Sequence, residues 1–76
     1  MDERAAKEYL LNHDNNFRQL AEQHQAFEKM LTEFTEKPFL TADEQMQETV
    51  IKKKKLALKD QMQILIERYQ TEKTVN

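Results

Sequence analysis

No glycine occurs anywhere in this chain, and its only proline stands at position 38. Glycine takes left-handed backbone angles without steric cost, so its absence removes tight hairpin turns, sharp nucleophile turns and the loops that cradle phosphate groups. Proline lacks an amide donor and pushes the residue before it out of the helical region. A helix arriving from the N-terminal side must therefore stop near Glu36 or Lys37. An all-β fold would need turn residues roughly every 8 to 12 positions, and they are missing. Ala, Leu, Lys, Glu, Gln and Met, all good helix formers, dominate instead. The fold class expected is all-α.

Local signals then set the layout. Thr41-Ala42-Asp43-Glu44 is a capping box: the threonine hydroxyl accepts from the Glu44 amide, the Glu44 side chain reaches back, and both acidic residues favour the positive end of the helix dipole. The pattern predicts one helix over about 3–36, a turn at 37–41 and a second helix over about 42–72, with residues 72–76 fraying. A connector this short makes the helices antiparallel neighbours, a coiled-coil-like two-helix hairpin. Asn12-His13-Asp14-Asn15-Asn16 is a run of poor helix formers, so the first helix has a possible break at 12–16, with Asp14 or Asn15 capping a fresh start and a short extra helix before it.

Apolar spacing agrees with two packed helices. Leu10, His13, Phe17, Leu20, His24, Phe27, Leu31 and Phe34 fall on alternating steps of three and four, and Ile51, Lys55, Leu58, Met62, Leu65 and Tyr69 do the same. Tyr9, Leu11, Met30, Val50, Leu56, Ala57, Ile64 and Ile66 lie off these seams. Val50, Ala57 and Ile64 recur every seven residues, a second stripe that a lone hairpin leaves wet. A chain of 76 residues buries too little surface to carry much core alone, and with no cysteine neither disulfide nor thiolate site supplements it. Self-association through Val50, Ala57, Ile64, Leu56 and Met30 is the remaining route, a homodimer closing into a four-helix bundle. No apolar run reaches the ~20 residues of a membrane span and no secretory signal is recognisable, so a soluble, cytoplasmic protein is expected.

Ile51-Lys52-Lys53-Lys54-Lys55 raises the question of nucleic acid. Successive helical residues point about 100° apart, so these lysines spray round the helix instead of forming one stripe. No aromatic residue interleaves with them to stack bases. The formal charge is −2, which gives no field for steering onto phosphates. Pairing lysines are the simpler reading: Lys55 with Glu22, Asp60 with Arg18, and Lys52 with Glu48 four residues earlier. The runner-up is weak binding to nucleic acid or an anionic surface through Lys52, Lys53, Lys54 and Lys59.

Phe17-Arg18-Gln19-Leu20, His24, Phe27 and Leu31, followed after the turn by Ile51-Lys52-Lys53-Lys54-Lys55-Leu56-Ala57-Leu58-Lys59-Asp60-Gln61-Met62, resembles the YdcH-like family of small bacterial proteins, a domain of unknown function. The resemblance spans roughly residues 14–66. It implies an antiparallel helical hairpin without a known activity and supplies no catalytic residue. Asn15, Phe27 and Gln61 depart from the family pattern.

Chemistry has little to build on. His13 and His24 lie about 16 Å apart on a continuous helix, too far for one metal ion, and no Glu-x-x-His pair or cysteine helps. His24 reads as a seam histidine bonded to Glu28 or an opposed carboxylate, with a pH switch as the sharper alternative. No hollow for a nucleophile, base and oxyanion site is expected between two helices. The expected protein is a non-enzymatic interaction module, taking no cofactor or small-molecule substrate and binding a second copy or another helical protein.

Overall fold

The computed structural model describes residues 2–74 and contains three helices: α1 (Glu3–His13), α2 (Asn15–Thr35) and α3 (Ala42–Thr74). No strand occurs among the described residues. The molecule is elongated, 54 × 19 × 17 Å. The capping box forms as the sequence predicts: Glu44 N donates to Thr41 Oγ1 at 3.1 Å and Thr41 N to Glu44 Oε1 at 3.0 Å. Lys37 donates to the same glutamate and holds its ammonium 5.6 Å from the centre of the Phe34 ring. The turn is thus tied at both ends. Of the residues expected to fray, Val75 and Asn76 lie outside the described residues, while α3 continues to Thr74.

The first helix is two helices. Asp14 leaves the helical region (φ −120°, ψ 109°) and serves both sides of the break: its amide donates to Leu10 O at 2.8 Å, and its carboxylate accepts from Phe17 N at 3.0 Å. One residue therefore ends α1 and caps α2. Arg18 completes the corner, its Nε donating to Leu11 O at 3.0 Å and Nη2 to Asn12 O at 3.2 Å. The expected pairing of Arg18 with Asp60 does not form, because the open carbonyls at the end of α1 claim the guanidinium first.

This corner turns α1 back along the other two helices. Glu3 and Lys7 share a groove with His24, Lys55 and Lys59, while Tyr9 stacks on Tyr69 with ring centroids 4.7 Å apart. Glu3 and Lys7 line a groove whose α3 wall lies within residues 55–66, whereas Tyr9, later in α1, reaches Tyr69, later in α3, so α1 runs in the direction of α3. The half of the molecule away from Pro38 consequently has three helices and the half beside it two. The core sits in the three-helix half: Ala6, Leu10, Phe17, Met62, Ile66 and Tyr69 are buried together, with Leu11, Leu20, Ala21 and Leu65 packed against them.

Two expectations fall here. His13, counted on the apolar spacing, does not face the core; it is exposed and lies against Tyr9, ring centroids 4.3 Å apart, beside the break expected at 12–16. Ile66 and Leu11, read as off-seam, belong to the core or its edge, with Ile66 only 4% exposed. The first follows from the break at Asp14, and the second from α1 adding a third wall.

α2 and α3 pack along each other. Lys37 meets Glu44, Lys55 meets Glu28, and Phe17 joins Met62 and Ile66, pairs that nest outward from the turn as antiparallel helices require. Lys55 was expected to reach Glu22; its Nζ instead lies 3.2 Å from Glu28 Oε1. Side chains lean toward the N-terminus of their own helix. The facing pairs centre the hairpin at about residues 40–41 and not at Pro38, which sets Lys55 opposite about residue 26, and the opposite lean of side chains on the two helices carries the contact on to Glu28.

Candidate interaction face

The predicted seam divides by depth. Phe17, Leu58 and Met62 are buried, whereas Leu20, His24, Phe27, Leu31, Phe34, Ile51 and Leu65 are half-buried. The partial exposure of Phe27, Leu31, Phe34 and Ile51 has a direct cause: they lie in the two-helix half, where α1 provides no cover. His24 is half-buried in the groove that also contains Lys7, Glu28 and Lys55. The hydrogen bond and charge of Lys55 hold the Glu28 carboxyl below its ordinary value, with smaller help from His24.

The second stripe is on the surface. Val50 is 44% exposed, Ile64 54%, Leu56 59% and Met30 45%, and Ala57 is exposed with them. Counted round the helix at about 100° per residue, Val50, Ala57 and Ile64 lie roughly 120° from the centre of the buried face formed by Leu58, Met62 and Tyr69. α3 thus has two apolar faces and only one neighbouring surface to bury. Met30 extends the exposed apolar area onto α2, where it shares a hollow with Phe34 and Ile51. The sequence reading missed Met46 and Phe39, both strongly exposed. Met46 stands four residues before Val50, and continuing the stripe by one helical step finds it; Phe39 lies in the turn, where no periodicity points to it.

The lysines do not converge. Lys52 Nζ lies 3.5 Å from Glu48 Oε1, the expected pair four residues apart, and Lys55 is held by Glu28. Lys53, Lys54 and Lys59 are exposed at separate angles round α3. Among the described residues no three His, Asp or Glu side chains gather as a metal site would need, and no helix is long and apolar enough to cross a membrane.

Comparison with curated proteins and with solved structures yields no match. Residues 17–66 match the family described as Protein of unknown function (DUF465), a span that begins at the buried Phe17 and ends at the buried Ile66. α1 lies before the matched span. With most of its length matched, the chain belongs to the DUF465 family, which includes the YdcH-like small proteins it resembles.

Proposed function

We propose that this protein is a non-enzymatic interaction module that docks the exposed apolar face of α3 onto a helical partner. In this reading α2 and α3 act as a coiled-coil-like hairpin, and a partner that is a second copy, bound through α3, brings two hairpins together as four packed helices with each α1 flanking them. The observation that carries it is the stripe of Val50, Ala57 and Ile64 on the side of α3 turned away from its buried face. Burying a leucine- or isoleucine-sized side chain contributes roughly 1.5 to 3 kcal/mol, so several together offset the cost of association. An amphipathic helix laid along another is the matching recognition mode.

The anionic-surface reading has less support. Two lysines of the run are held by glutamates, and the remainder face different directions. A photo-crosslinking residue placed at Ile64 in the cell tests the docking reading. A polypeptide adduct from Ile64, and none from the exposed Glu8 on α1, is the expected result. Absence of any polypeptide adduct from Val50, Ala57 and Ile64 alike would remove it.

A further inference from the structure

We infer that the occupant of this face is the α3 helix of a second copy, running antiparallel about a two-fold axis at Ala57. The inference rests on the docking reading, takes the second copy over another helical protein, and adds direction and register. Val50 and Ile64 stand seven residues either side of Ala57, so a two-fold axis there places Val50 of each copy on Ile64 of the other. Ala57 meets itself at the axis, where a small side chain lets the helices approach closely. Leu56, beside it and 59% exposed, falls next to its own symmetry mate.

Charge selects this direction over the alternative. A two-fold axis across antiparallel helices brings the same flank of each copy together. On one flank Lys53 then faces Asp60 of the other copy, twice by symmetry. On the other flank Lys54 faces the neutral Gln61, and Gln47 faces Arg68. A parallel two-fold arrangement brings opposite flanks together, so Lys53 of each copy faces Lys54 of the other at the centre of the seam, two like-charge contacts where the antiparallel pair has Lys53 on Asp60. The one opposite-charge pairing of the parallel arrangement is Glu67 on Arg68. These residues are all exposed on the single chain. The antiparallel pair also lays the two-helix half of each copy, including Met46, against the three-helix end of the other.

The test uses full-length protein carrying single cysteines, a background that contains none of its own. Mild oxidation of Ala57→Cys is expected to give a disulfide-linked dimer. Val50→Cys alone and Ile64→Cys alone are expected to stay as single chains, while an equimolar mixture of the two cross-links. Sedimentation of the unmodified protein is expected to show twice the single-chain mass, and Lys53→Asp to weaken the dimer by about tenfold or more, as like charges at an interface do, with Asp60→Lys added to the same chain restoring it. Self-linking of Val50→Cys would overturn the antiparallel register. A single-chain mass together with an Ile64 photo-adduct to a different polypeptide overturns the second-copy partner and leaves the docking reading standing; no adduct at all removes both.

Discussion

The rings of Tyr9 and Tyr69 stack at 4.7 Å with their planes 19° apart, and this contact closes α1 onto α3 at the end of the molecule farthest from Pro38. Tyr69 is buried, whereas Tyr9 remains 42% exposed. Offset aromatic pairs contribute about 0.5 to 1.5 kcal/mol beyond their buried area. A double-mutant cycle of Tyr9→Ala and Tyr69→Ala by urea unfolding should return a coupling energy in that range. Strict additivity would mean that the stack contributes nothing.

Phe17 is the largest fully buried side chain described, and it sits where all three helices meet. Truncating a buried phenylalanine costs roughly 3 to 5 kcal/mol, a large share of the stability of a domain this small. Phe17→Ala should leave most of the chain unfolded at room temperature. Phe34→Ala, in the two-helix half, should cost clearly less. Thermal melts followed by circular dichroism compare the two directly, and equal losses contradict the placement of the core.

Asp14 terminates one helix and caps the next. Asp14→Ala removes the acceptor for Phe17 N and should cost about 1 kcal/mol, within the range for helix caps. Asp14→Asn keeps a side-chain oxygen in place and should recover most of the loss. Chemical denaturation midpoints at unchanged m-value are the readout.

The hydrogen bond from Lys37 and the amide of Thr41 pull the Glu44 carboxyl down to about 2 from an ordinary 4.5. A depressed pKa means that the folded state favours the ionised form. The stabilisation is therefore complete above 4.5 and lost as pH falls from there toward 2. The melting temperature of the natural protein should decline through that window more steeply than that of Glu44→Gln. Parallel curves would show that the capping box does not couple to protonation. The Glu28 carboxyl is also lowered, by Lys55, but both side chains reach solvent and screening keeps the effect small. Exchanging the charges as Glu28→Lys with Lys55→Glu should restore the stability lost in either single variant.

Much of the molecule is legible in short stretches of sequence. Pro38 ends α2, Thr41 and Glu44 start α3, and the polar run around Asp14 breaks the first helix, because each is a local contest between a side chain and its own backbone. The stripe of Val50, Ala57 and Ile64 is likewise visible from spacing, as is the pair of Glu48 and Lys52. Helical periodicity names faces, and these faces are where the spacing puts them.

What the amino-acid order determined by itself, then, is where helices begin and end and which side of each is apolar. The tertiary structure decided what covers each side. Ile66 reads as surplus until α1 folds back over it, and Lys55 finds Glu28 instead of Glu22 because the hairpin turns about residues 40–41 and not about Pro38, which shifts the facing register by several residues. Arg18 turns to the carbonyls of Leu11 and Asn12 for the same kind of reason. Periodicity is a property of one helix, whereas burial and pairing depend on the direction in which a neighbour approaches, and that direction is set at the Asp14 corner by packing that no single helix encodes.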